Sequence, residues 1–120
     1  MLNRDYNYME FILESIERIH EYTSSYQSVD QFNADYRNFD ATMMNFVIIG
    51  EMVGKLSEDF KNDNPQIEWQ KIKGFRNIDA HNYFGIDAEE IWQIIHDKLP
   101  GLKTDIEQII SASKSLFNQD

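Results

Sequence analysis

The segment Arg76-Asn77-Ile78-Asp79-Ala80-His81-Asn82-Tyr83 gathers a permanent cation, an amide, a titratable ring and a phenol within about two helical turns. Histidine titrates near neutral pH, so His81 is a candidate general acid or base. Arginine presents a planar fork of donors that matches phosphate oxygens, which makes Arg76 a candidate anion holder. On a helix advancing about 100° per residue, Asn77 and His81 lie side by side, and the amide could orient the imidazole. Arg76 and Tyr83 share another face. Arg76 and His81 are five apart, which on an ideal helix sets them roughly 140° from each other, too divergent for one phosphate to meet both easily. Two arrangements resolve this. Either the helix loosens near Ala80, or two copies of the segment face each other and Arg76 works beside the partner subunit's His81.

The surrounding pattern is helical throughout, with no strand alternation, repeat or low-complexity segment. Tyr8, Phe11, Ile12, Ile16, Ile19 and Tyr22 recur at one-face spacing and predict a first helix from near Asp5 to Tyr22. A polar stretch comes after it, and Ser28 or Asp30 caps the next helix. A second helical region runs from about Val29 to Phe60, with a break expected near Asp35. It carries Phe39, Met43, Phe46, Gly50, Val53 and Phe60 on one side. Met44, Ile48, Ile49 and Met52 add more apolar surface than one neighbour would bury, which predicts a homodimer seam. Gly50 and Gly54, four apart, would let another backbone approach closely.

Asn62 to Pro65 break the chain, and Trp69, Ile72 and Phe75 open a third helix leading into the Arg76 to Tyr83 segment, ended by Gly85. Asp87 and Glu90 have capping-box spacing for a helix that stops before Pro100. Pro100 starts the last helix, which buries Leu102, Ile106, Ile109, Ile110 and Leu116 or Phe117. The expected fold is all-α: an antiparallel, up-and-down bundle of four to five helices, one domain over residues 1–120, paired as a homodimer.

Composition narrows the function. Hydrophobic residues make up 42% and charged residues 27%, which fits a globular chain with a real core. No apolar run reaches the roughly 20 residues of a membrane span, and the first residues lack a signal-peptide stretch, so a cytoplasmic protein is expected. Without cysteine there is no disulfide, thiolate catalysis or cysteine-bound zinc. His20 and His96 have no metal-ligand spacing with each other or with His81, so neither a metal nor another cofactor is expected. A formal charge of -10 argues against sequence-blind nucleic-acid binding, which relies on many cations releasing counterions from phosphates. Any RNA activity must use a local basic site. An acidic surface also suits a basic protein partner.

Ile48-Ile49-Gly50-Glu51, the Pro65 to Trp69 turn, Gly74-Phe75-Arg76-Asn77, His81-Asn82-Tyr83-Phe84-Gly85-Ile86-Asp87 and Leu99-Pro100 closely resemble HepT-like members of the HEPN superfamily. The resemblance covers nearly the whole chain. It implies a helical bundle, a homodimer with the motif at its cleft, and metal-independent RNA cleavage. In that chemistry His81 acts on the ribose 2′-hydroxyl, whose attack on the adjacent phosphate leaves a cyclic phosphate, while Arg76 stabilises the added negative charge. It also implies an MntA-like minimal nucleotidyltransferase antitoxin as partner, which attaches AMP to Tyr83. A bulky anion beside Arg76 would block the cleft. Met44, often basic or aromatic-polar in similar sequences, and Asp79, within a usually apolar motif interior, depart from the pattern.

Each residue also has a plain structural reading. Arg76 could pair with Asp79 or Glu51, and Glu51 could orient Arg76 or pair with Lys55, four residues on. Tyr83 could close a core with its hydroxyl at the rim. Lys71, Lys73 and Arg76 form the compact basic group near the motif and could guide RNA or merely solvate a helix face. A second functional reading keeps the dimer but makes it a non-catalytic, nucleotide- or protein-binding partner subunit of the nucleotidyltransferase.

Overall fold

The computed structural model describes the backbone of residues 2–77 and 88–117, with side chains described over 4–76 and 88–113. Among these residues the chain forms seven α-helices, one 3-10 turn and no strand: α1 (Leu2–Thr23), α2 (Val29–Ala34), α3 (Tyr36–Lys55), α4 (Glu58–Asp63), α5 (Trp69–Lys73), the turn Gly74–Asn77, α6 (Ala88–Asp97) and α7 (Leu99–Phe117). The all-α expectation holds. The helix count exceeds four to five because the region from Val29 to Phe60 breaks twice, at Asp35 as expected and again at Leu56 and Ser57.

Caps set these boundaries. The Ser28 side chain accepts from Gln31 N at the start of α2, Asp35 from Asn38 N at α3 and Ser57 from Phe60 N at α4. The second break is stabilised from far away: the Asp5 carboxylate accepts from both Ser57 N (2.9 Å) and Ser57 Oγ (2.8 Å). At the opposite end, the Asn38 amide donates to the Tyr22 carbonyl (3.2 Å) and the Tyr26 hydroxyl (2.9 Å). The start of α1 therefore meets the end of α3, and its end meets the start of α3. These two long helices lie antiparallel and form the spine of the fold.

Between those ties sits the core, in which Met9, Ile12, Ile16 and Ile19 of α1 face Met43, Phe46, Ile49 and Val53 of α3, all essentially inaccessible. Phe32 of α2 stacks on Phe39 and on Trp92 of α6, and Leu99, Leu102 and Ile106 of α7 complete the interior. Burying side chains of this kind stabilises a fold by about 1.5–3 kcal/mol each before the opposing conformational entropy is counted. Phe11, expected in the stripe of α1, is 53% exposed. The buried line runs instead through Asp5, Met9, Ile12, Ile16, Ile19 and Thr23, and Phe11 lies a third of a turn outside it.

The α4–α5 corner is clamped by Trp69, whose indole N–H donates to the Lys61 (3.1 Å) and Asn64 (3.0 Å) carbonyls while its ring packs on Phe60. Phe60 in turn meets Tyr6 of α1 edge to face. This corner delivers the Gly74–Asn77 turn to the side of α3. No helix among the described residues is long and apolar enough to cross a membrane.

The corner where α1, α2 and α3 meet is pH-sensitive. The Tyr26 hydroxyl donates to the Asp35 carboxylate, and this bond, with the backbone N–H of Asn38, holds Asp35 below the usual carboxylate range. A carboxylate depressed in the folded state adds stability above its unfolded pKa, and that stability is lost as pH falls through the folded pKa. Denaturant unfolding at pH 6 and pH 3 should therefore show a smaller acid-induced loss for Asp35→Asn than for wild type. Equal losses would remove Asp35 from the acid response.

Candidate functional site

Arg76 is the best-described member of the motif, and its position is set by glycine. A Cβ built on Gly50 would stand 2.3 Å from Arg76 N and 2.9 Å from Arg76 Cα, closer than real Cβ atoms come to backbone. The 3-10 turn therefore lies against the bare backbone of α3. Phe75, the preceding residue, fixes the turn from inside by meeting Phe46 edge to face, with ring centroids 5.1 Å apart. Ile72 buries the last turn of α5.

One helical turn along α3 lies Gly54, exposed, over which the Arg76 side chain extends. Its Nη1 is 3.6 Å from where a Gly54 Cβ would be, and Lys73 Cε is 3.9 Å from the same point. The close approach expected at Gly50 and Gly54 is real, but at Gly50 it is made by this chain's own turn.

The third helix also differs from expectation. It ends at Lys73, and the chain tightens at Gly74 into a 3-10 turn. Glycine favours helix weakly, and the tighter turn lets Phe75 reach Phe46 while the Arg76 backbone reaches Gly50. The ideal-helix angles drawn from Arg76 therefore do not apply at the start of the motif. His81, Tyr83 and Asp79, with the ends marked by Gly85 and Asp87, lie outside the described residues, as does the Asn77 side chain.

The remaining candidates separate. Glu51 is exposed and makes no ion pair with Arg76 or Lys55 among the described residues. Lys71 is held by Glu68 at 2.8 Å, which raises the lysine pKa and lowers that of the glutamate. Lys73 stands with Arg76, and both lack a carboxylate partner among the described residues. Among the described residues no group of three or more histidine or acidic side chains is arranged to hold a metal ion. Sequence reasoning missed Phe75 and Phe46 as the anchor of the turn. The signal was their aromatic character beside Arg76 and Gly50.

On another side, α3 presents an apolar face. Met44 is 60% exposed, Ile48 and Met52 are half-buried, and Phe11 of α1 extends the patch across a shallow groove containing Ser15 and Arg18.

A small helical protein that lays an exposed arginine on a glycine of its central helix, and bears exposed apolar side chains on another side of it, fits a class built around a short polar motif. Residues 12–109 match the family model described as Ribonuclease HepT-like. The chain belongs to that family. It is 37% identical over 99 residues to a "Putative RNase" of Methanocaldococcus jannaschii, covering 82% of this chain and 81% of that protein. It is 32% identical over 103 residues to the "Probable ribonuclease HepT" of Thermococcus cleftensis, covering 86% of this chain and 93% of that protein. A "Putative RNase" of Caldanaerobacter subterraneus is 30% identical over 107 residues, covering 89% and 95% respectively. No solved structure matches significantly.

The two glycines predict opposite responses. Alanine in a helix normally stabilises relative to glycine by about 1 kcal/mol, and Gly54→Ala, whose Cβ meets only ordinary contacts, should behave so. Gly50→Ala should instead cost about 1–3 kcal/mol by forcing the turn off α3. Urea unfolding reads both signs, and a stabilised Gly50→Ala would contradict the seat.

Proposed function

We propose that the chain is a metal-independent endoribonuclease toxin that cuts RNA through 2′-hydroxyl attack. What carries this reading is membership of the ribonuclease HepT-like family over residues 12–109, a span that contains the whole Arg76 to Tyr83 motif. His81 takes the proton of the ribose hydroxyl or returns one to the leaving oxygen, as a general base or acid. Arg76 donates to the non-bridging oxygens of the phosphate, whose charge grows in the transition state. Its exposure and lack of a described carboxylate partner leave its donors available. Asn77 orients the imidazole, and Glu51 is available to orient the guanidinium.

The active form is a homodimer. The Met44, Ile48, Met52 and Phe11 face supports it: an exposed apolar surface on the central helix of an otherwise charged protein is what a self-complementary interface uses. Pairing of two subunits would bring two motifs to one cleft. Neutralisation comes from a separate nucleotidyltransferase that attaches AMP to Tyr83, placing an anion that competes for Arg76.

Two measurements test this. Purified protein, unmodified at Tyr83, should cut RNA to products ending in a cyclic phosphate, and His81→Ala or Arg76→Ala should lower the rate by about a hundredfold or more with helix content unchanged. Equal residual activity in wild type and both variants would defeat the enzyme reading and favour a non-catalytic partner subunit. Ile48→Glu should give a monomer by sedimentation and lose cleavage with it. A monomeric variant of full activity would defeat the shared cleft.

A further inference from the structure

Three basic side chains of this protein are each matched by a carboxylate one turn away: Arg18 with Glu14 at 2.6 Å, Lys61 with Glu58 at 3.0 Å, Lys71 with Glu68 at 2.8 Å. Acidic residues outnumber basic ones by 21 to 11. Lys73 and Arg76 are distinguished by where they meet. Both approach one point on α3, the open backbone of Gly54, and neither has a carboxylate within ion-pair distance among the described residues. Glu51, one turn back on the same helix, is exposed and makes no ion pair among the described residues either.

Two like charges gathered at one spot repel each other unless an anion sits between them. Gly54 makes the gathering possible. With no side chain there, the guanidinium and the lysine stem lie down against α3 where a longer residue would stand. The arrangement offers a fork of rigid donors and a flexible ammonium above a bare stretch of helix, the elements of an anion seat.

We infer that Lys73 and the space over Gly54, beside Arg76, form a subsite for the backbone phosphate of single-stranded RNA next to the one at which the strand is cut. The identity of the anion rests on the ribonuclease reading above. Lys73 lies three residues before the arginine that meets the reacting phosphate, so it holds the strand in register and takes no part in the chemistry. Phosphate contacts of this kind position a nucleic acid without reading its sequence. They also reconcile a strongly acidic protein with a polyanionic substrate, because the attraction is confined to one small seat.

The subsite is tested by binding a fluorescein-labelled single-stranded 2′-deoxy oligonucleotide, which lacks the attacking hydroxyl and so reports affinity independently of cleavage. Wild-type full-length protein is titrated by anisotropy across a salt series. Lys73→Ala should flatten the slope of log affinity against log salt by about 0.7, the value for one phosphate contact on a single strand. Lys73→Arg should restore it, and Lys103→Ala, which removes the same charge from α7, should leave it unchanged. Gly54→Leu fills the seat at an exposed helical position. It should weaken binding several-fold without lowering the melting temperature. On cleavable RNA, Lys73→Ala should raise KM several-fold with kcat held.

An unchanged slope and KM in Lys73→Ala would overturn the subsite, as would wild-type failure to bind the oligonucleotide. A labelled mononucleotide that binds as tightly as the oligonucleotide would overturn its assignment to a polymer. Salt-dependent binding that responds to Lys73 in a protein that cuts no RNA would uphold the subsite while removing the nuclease reading.

Discussion

The backbone of Arg76 rests directly on the backbone of α3 at Gly50, with no room for one more carbon. A contact between two stretches of main chain allows little adjustment. Side chains can swing to absorb a shift of a few tenths of an ångström, whereas two backbones in van der Waals contact move together or separate. Everything upstream arranges this meeting. The antiparallel pairing of α1 and α3 sets the direction of the central helix, the indole of Trp69 fixes the α4–α5 corner, and Phe75 on Phe46 turns the chain so that residue 76 arrives backbone first.

Electrostatics obey the same economy of space. A chain with a charge of -10 repels polyanions at long range, yet it leaves a guanidinium and an ammonium without carboxylates, among the described residues, at a single bare point of helix. Long-range repulsion and short-range attraction act over different distances. Beyond a Debye length of about 8 Å at physiological ionic strength the net charge is largely screened, so contact is governed by the groups at the seat itself. An acidic protein of the ribonuclease HepT-like family is consistent with these scales.

Local signals were legible in the sequence where physics is local. Helix periodicity marked α1 and the buried stripe of α7, Ser28 marked a cap, and Asp35 and the stretch from Asn62 to Pro65 marked breaks. The features that escaped depend on distant residues. The break at Ser57 needs Asp5, fifty-two positions earlier, and the 3-10 turn at Gly74 needs Phe46 and Gly50 on another helix. Phe11 reads as part of the buried face in the sequence because period alone does not choose between neighbouring phases of the same stripe. The Gly50 and Gly54 spacing pointed correctly to a close approach but not to its partner. Arg76 was legible as a chemical residue from its type. Its seat was not, because that is made by a glycine twenty-six positions away.

The carboxylate of Asp5 ties the fifth residue of the chain to the cap of α4 through two hydrogen bonds. That knot closes a loop containing the whole spine, so the first turn of α1 and the corner that carries Trp69 gain their order together. A loop of this length is slow to close, and closing it brings the elements within it into register. Trimming the opening turn would therefore be felt at the far end of the α4–α5 corner, where the arginine is presented. Asp5 is thereby mechanically coupled to the frame that seats Arg76.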